Sequence, residues 1–211
     1  MNTQPQSNRF PGITAKALAA ALLGWLAATA GFSQGAVRIE NFSLIDAANN
    51  SPVSLSDFRG EKAVVLVFMS NYCPFAKLYE DRILTMADQH RSQGVQFLLI
   101  NSNTSLDHID DSVEEMARRA KEKNYRVPYL ADKSQKVAAM LKATKNPEVF
   151  VLQNTGGGNF TLIYRGAIDD NPQVPQEVTV HFLRDAVASV ISRKNLSYAE
   201  KRPVGCLIQK E

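Results

Sequence analysis

Cys73 is followed directly by Pro74 in the run Phe68-Met69-Ser70-Asn71-Tyr72-Cys73-Pro74-Phe75-Ala76-Lys77. The segment before it, Ala63-Val64-Val65-Leu66-Val67-Phe68, is wholly apolar and reads as a buried strand. Proline suits the first turn of a helix, where its missing N–H is one the turn has no use for. The spacing therefore predicts a partly exposed cysteine at a strand-to-helix turn. There the unpaired N–H groups and the helix dipole favour thiolate over thiol. A thiolate so placed attacks disulfides or peroxides; a packed, inert cysteine is the alternative. The other cysteine of the chain, Cys206, lies in Pro203-Val204-Gly205-Cys206 after the polar, charged stretch Ser192 to Arg202. It is open to four fates: resolving an intermediate on Cys73, remaining a free thiol, bridging to another chain, or closing a structural bond. Pairing with Cys73 closes a loop of about 133 residues, for which chain entropy gives on the order of 5 kcal/mol.

Composition narrows the classes. With 211 residues and 45% hydrophobic content the chain can bury one full core, so one domain with extensions is expected. A formal net charge of +3 and the lack of a basic stripe with interleaved aromatics argue against nucleic acid. Two cysteines are too few for a disulfide-stapled scaffold or a cysteine-built zinc site. His90, His108 and His181 have no metal-like spacing. Asp107, Asp110 and Asp111 sit where acids complement a helix start. Gly156-Gly157-Gly158 is followed by a strand pattern and no Gly-Lys-Ser/Thr, so it is not a phosphate loop. No metal and no cofactor are expected.

The N-terminus reads as a leader. Arg9 and Lys16 precede an uncharged apolar run, Ala17 to Ala30. That run is shorter than the roughly 20 residues a membrane helix needs, and small residues follow it. Residues 1–30 are therefore expected to be a signal peptide, with cleavage extending up to about residue 36. Membrane attachment is expected only if it stays uncleaved. Removing residues 1–30 takes Arg9 and Lys16 and no acid, which leaves the mature protein almost neutral. The expected location is exported, periplasmic or extracellular, where disulfides persist.

Behind the leader, strands and helices alternate. Phe42–Ile45 and Val53–Leu55 flank the turn Asn49-Asn50-Ser51-Pro52 as a short hairpin. A helix is expected from Pro74 to about His90, and a strand over Val95–Ile100. Ser112 with Glu115 forms a capping box opening a helix to about Asn124. A short strand near Tyr129-Leu130 precedes a helix over Gln135–Leu141. Val149–Leu152 and Thr161–Tyr164 form a second hairpin, and Glu177–Arg193 a terminal amphipathic helix. This order predicts an α/β protein with a central mixed sheet and helices on both faces. Residues 37–195 form the domain, and 196–211 a C-terminal tail carrying Cys206.

That order, with Cys-Pro at the first helix start, resembles the thioredoxin-like superfamily. More narrowly, it is similar to the redoxin-domain family of alkyl hydroperoxide reductase and thiol-specific antioxidant type. Members of that family carry a Cys-Asn-His-Cys-Pro-type turn and a Gly-Cys tail. Six pieces in order carry the resemblance across roughly residues 37–209. They are Ser70 to Lys77, Ile100-Asn101-Ser102-Asn103, Pro128 to Asp132, Ala143 to Glu148, Tyr164 to Asn171, and Pro203 to Ile208.

The chain departs from the pattern at the cysteines. Ala76 stands where a Cys-x-x-Cys site places its resolving thiol, Ser70 where a further cysteine often precedes the asparagine, and Lys145 where another precedes the loop proline. Val67 stands where thioredoxins hold a buried carboxylate. A dithiol cycle confined to the turn cannot run. The resemblance implies that Pro147 is the cis-proline facing the nucleophile, that Lys145 lies near the thiol, and that Tyr72, Pro74 and Phe75 flank the substrate. It implies Cys73 as the catalytic thiol, with Cys206 or an external thiol resolving.

Three functions fit these residues. The first is an exported thiol–disulfide oxidoreductase whose partners are protein or small-molecule disulfides and thiols. The second is a peroxidase oxidised to a sulfenic acid at Cys73; Ser70 fits the peroxiredoxin pattern, but Leu66 stands where that pattern has proline. The third is a binding module that keeps the fold without the chemistry.

Overall fold

The computed structural model describes residues 1–2, 4, 37–104 and 108–210. Apart from residues 1–2 and 4, the expected signal peptide lies outside the described residues, as does Asp107. Among the described residues no helix is long and apolar enough to cross a membrane.

The strands, in chain order, are β1 (Arg38–Ile39), β2 (Ser43–Asp46), β3 (Pro52–Ser54), β4 (Ala63–Phe68), β5 (Val95–Asn101) and β6 (Tyr129–Ala131). They continue with β7 (Lys145–Asn146), β8 (Glu148–Asn154), β9 (Phe160–Gly166), β10 (Glu200–Lys201) and β11 (Cys206–Leu207). The helices are α1 (Pro74–Arg91), α2 (Val113–Glu122), α3 (Lys136–Leu141) and α4 (Phe182–Ser192). The main sheet runs β1-β9-β8-β4-β5-β6-β2-β3, with β10 added beside β9. β4 pairs parallel with β5 and antiparallel with β8, so the strand that delivers Cys73 lies inside the sheet. All six of its side chains are buried, which is why its sequence is an unbroken apolar run.

Alternate side chains of the central strands feed two cores. Val65, Val67, Phe97, Leu99, Val149 and Val151 pack beneath α1, α2 and α4, against Ile83, Met116 and Leu183. Val64, Leu66, Phe68, Leu98, Ile100 and Phe150 face the other way, onto Val137, Ala138 and Leu141 of α3. Helices therefore cover both faces of a mixed sheet, as the element order predicts.

Two elements differ from expectation. The terminal helix begins at Phe182 and not at Glu177. Asp170 accepts from the Thr179 N–H at 3.0 Å and from its hydroxyl, and Asn171 Oδ1 accepts from Gln173 and Val174 N–H. These side-chain bonds offer the backbone an alternative to the helix ladder. The tail is the second difference, because it adds two short strands that the element order does not predict. β10 lies parallel to β9, and β11 pairs antiparallel with β7. Gly166 makes the first contact possible: its φ is +123°, and a Cβ there would sit 1.7 Å from the Lys201 carbonyl oxygen.

Candidate active site

Cys73 occupies the N-cap position of α1, with extended backbone (φ −76°, ψ 119°) and Pro74 in the first turn. The strand-to-helix placement is the one the sequence predicts. The exposure is not: Cys73 is 1% exposed, where a partly exposed thiol was expected. The reason is Cys206, which forms a disulfide with Cys73, their Cα atoms 5.9 Å apart. The docked tail roofs the turn, and Cys206 keeps intermediate exposure.

The turn rests on a buried carboxyl group. Asp111 is fully buried and lies at the end of a short 3-10 turn ahead of α2. Its Oδ1 accepts from the Asn71 N–H at 2.6 Å and from Asn101 Nδ2 at 2.9 Å, and its Oδ2 from the Ser70 hydroxyl at 2.7 Å. Ser70 Oγ in turn accepts from the Cys73 N–H at 3.3 Å. Asn71 Nδ2 donates to the Asp110 carbonyl at 2.9 Å, and the Tyr129 hydroxyl donates to Asn71 Oδ1 at 3.0 Å. Burial, helped by the nearby Tyr125 and Asp111, pushes the Tyr129 hydroxyl well above its ordinary pKa, so it stays a donor.

A clamp between helices fixes this platform. Glu80 of α1 accepts both Nε and Nη2 of Arg119 on α2, at 2.9 and 2.5 Å, and the Tyr125 hydroxyl as well. Burial first, then the bond to Glu80, raises the Tyr125 pKa. Sequence reasoning gave Asp111 only a dipole role at a helix start. The signal that finds it is the pairing of Ser70-Asn71 with a downstream acid, and sequence separation hides that pairing.

The opposite wall is the segment Thr144–Glu148. The Asn146-Pro147 bond is cis, as the resemblance implies for Pro147. Glu148 Oε2 ties the loop back on itself, accepting from Thr144 N–H at 2.7 Å and Lys145 N–H at 3.0 Å. The Asn146 carbonyl oxygen lies 2.9 Å from Cys73 Sγ. Lys145, of intermediate exposure, lies in the same wall and is held through its backbone. In the thiol state the carbonyl would accept the S–H and oppose ionisation, while the helix N-terminus favours the thiolate.

The remaining expected residues frame the turn. Tyr72 is 52% exposed and stacks on His108, ring centroids 3.9 Å apart and planes 12° from parallel. Pro74 is exposed, Phe75 packs half-buried against the α1-side core, and Ala76, at the missing resolving position, is fully buried. Among the described residues no group of three or more His, Cys, Asp or Glu side chains is arranged to hold a metal ion.

A family model described as the AhpC/TSA family matches residues 37–158. The chain belongs to the AhpC/TSA family. A hypothetical protein from Sinorhizobium meliloti 1021 is 30% identical, with 82% of this chain and 92% of that one covered, at a TM-score of 0.74. Peroxidoxin BcpB from Mycobacterium tuberculosis is 16% identical, covering 76% and 97% respectively, with a TM-score of 0.56. A thiol:disulfide interchange protein from Chlorobium tepidum TLS is 15% identical, covering 74% and 97%, with a TM-score of 0.57. The last two show the fold alone, and it is thioredoxin-like. No curated protein matches the chain. Within this AhpC/TSA chain, the Cys73 turn, the cis-proline loop and the tail cysteine meet at one point.

Proposed function

We propose that this AhpC/TSA-family chain is an exported thiol–disulfide oxidoreductase in which Cys73 exchanges with a partner's sulfur and Cys206 resolves the mixed disulfide. The observation that carries this reading is the Cys73–Cys206 pair itself, closed between the start of α1 and a tail strand. One sulfur sits at the start of a helix and the other in a two-residue strand near the end of the domain, the placement an exchange site uses. For a reductive cycle, Cys73 thiolate attacks a client disulfide and displaces one client thiolate. Cys206 thiolate then attacks Cys73 Sγ, which releases the second client thiolate and closes the Cys73–Cys206 bond. The client gains two electrons and two protons, and the protein loses them. A dithiol partner returns them: one of its thiolates attacks Cys206 and displaces the Cys73 thiolate, and its second thiolate then attacks that mixed disulfide and frees Cys206.

The two sulfurs of the closed bond are unequal. Cys206 keeps intermediate exposure, whereas Cys73 is buried beneath the tail. An entering thiolate should therefore attack Cys206. Incubating the purified mature protein with glutathione, quenching with acid and mapping the adduct by peptide mass spectrometry tests this. Glutathione is expected on Cys206 in the first captured adduct. An intact mass that is unmoved by reductant, or a Cys73→Ser protein that reacts with disulfides as the parent does, would remove the enzyme reading and leave a binding module. A peroxidase reading has less support, since Leu66 is a fully buried residue inside β4 where the peroxidase pattern has proline.

Export rests on the leader, whose apolar run is too short to span a bilayer and ends in small residues. The mature chain is expected to begin between Gly31 and Arg38. N-terminal sequencing of protein from the producing cell checks this, and Met1 recovered in a membrane fraction counts against it.

A further inference from the structure

Residues 133–147, which span α3 and β7, carry Lys133, Lys136, Lys142 and Lys145 and no acid, in a chain whose formal net charge is only +3. The carboxylates at the two ends of this segment are engaged inside the fold. Asp132 is fully buried and accepts from the Ser102 hydroxyl and the Ala138 N–H, both at 2.9 Å, while Glu148 ties its own loop. Between α3 and the tail lies a cavity of about 630 Å³. Its apolar lining comes from Ala138, Ala143, Leu207 and Ile208, and its cations are Lys136, Lys142 and Lys210. No carboxylate lines it, and among the described residues none of these three lysines is in an ion pair. The tail forms one wall. Ile208 is 8% exposed and belongs to the α3-side core, Leu207 stays 65% exposed, and Gln135 Nε2 donates to the Gln209 carbonyl at 2.6 Å.

A recess of this volume is of the size that takes a small organic molecule. Its aliphatic side chains favour an apolar body. Three ammonium groups around one recess favour a head carrying close to two negative charges, as a phosphate monoester does near neutral pH. No aromatic side chain lines the cavity, so it lacks the stacking platform a single-stranded nucleic acid uses. We propose that this cavity is a second site, separate from the Cys73 turn, for a small soluble amphiphile with a phosphate head and an apolar body, and that this ligand favours the docked tail. Lys136 and Lys142 hold the head, and the body lies on Ala143, Leu207 and Ile208. Leu207 and Ile208 directly follow Cys206, so the wall is complete when the Cys73–Cys206 bond ties the tail down. Reduction by a dithiol, itself oxidised to a disulfide, turns both cysteines into thiols and leaves the tail on non-covalent contacts alone. A ligand that binds the closed form better must then, by linkage, oppose that reduction. Neither the cavity nor the linkage depends on exchange chemistry at Cys73.

Calorimetric titration of the oxidised mature protein with n-octyl phosphate, kept below its micelle concentration, tests the site. Octyl glucoside supplies the same body without the charge, and inorganic phosphate supplies the head without the body. Octyl phosphate is expected to bind about tenfold more tightly than either. Lys136→Gln combined with Lys142→Gln, both at exposed positions, should weaken it about tenfold, and added salt should weaken it as well. Leu207→Ser should also weaken it while leaving the thermal midpoint near that of the parent, because Leu207 is exposed. The linkage is read in a dithiol redox buffer. With octyl phosphate at ten times its dissociation constant, the equilibrium should move toward the Cys73–Cys206 disulfide by about tenfold, the limit for a ligand that leaves the reduced form unbound. Equal affinity for octyl phosphate and its two controls, or an affinity untouched by the double lysine variant, would overturn the site. Binding with no movement of the redox equilibrium would overturn its link to the tail. Co-sedimentation with anionic phospholipid vesicles, in a protein that ignores octyl phosphate, would overturn the proposal and assign these lysines to a membrane surface.

Discussion

Cys206→Ser is expected to arrest exchange at a disulfide between Cys73 and the client. In the parent, the resolving thiol is held in the strand that pairs with Asn146, so its attack is intramolecular. A tethered thiol presents an effective concentration on the order of millimolar even through a flexible link. Against micromolar external thiol, the adduct in Cys206→Ser should live about a thousandfold longer. Ala76 cannot substitute, being an apolar residue fully buried in the first turn of α1. Ala76→Cys in the Cys206→Ser background should shorten the lifetime again by supplying a neighbouring thiol, and Cys73→Ser should form no adduct. Intact mass against time after mixing with a small aromatic disulfide measures all three. An unchanged lifetime in Cys206→Ser would mean that an outside thiol resolves Cys73.

Asp111→Ala is expected to unseat the active-site turn. Its carboxyl group satisfies the Ser70 hydroxyl, the Asn71 N–H and Asn101 Nδ2, all at buried residues. Stranding a buried donor costs about 1–3 kcal/mol, so removing one acceptor of three donors should cost about 3 kcal/mol or more. For a chain of this size that is a fall of roughly 6–12 °C in thermal midpoint. Asp111→Asn should be far milder. Its carbonyl oxygen can keep Asn71 and Asn101, and its amide can donate to Ser70, whose hydroxyl rotates to accept. The paired variants separate a hydrogen-bonding role from simple filling of space. Thermal unfolding and the rate of attack on an aromatic disulfide should fall together in Asp111→Ala and recover together in Asp111→Asn. Equal midpoints for parent and Asp111→Ala would show that the turn holds itself.

Much of this protein is legible in one dimension because it is local. The apolar run of β4, Pro74 at the start of α1, the Ser112 cap accepting from the Glu115 N–H at 3.3 Å, and the hairpin around Gly156-Gly157-Gly158 all follow from short-range rules of period, capping and turn chemistry. They suffice to place Cys73 at a helix start inside an α/β fold. The sequence also determined that no second thiol stands in the turn, since Ala76 is read directly. It left Cys206 with four possible fates. The tertiary structure narrowed them to a bond with Cys73, because that bond depends on two strand pairings and one core contact between residues far apart in the chain: β10 on β9, β11 on β7, and Ile208 in the α3-side core. Two-residue strands carry no periodicity, and Gly166 and Gly205 act only by the carbonyl that each lets approach. The same holds for Asp111, whose acidity is written in the sequence but whose three donors come from two other segments folded over it. Burial of Cys73 is likewise a property of the tail that covers it. Local propensity can position a sulfur; only long-range packing, paid in the entropy of closing a large loop, decides what meets it.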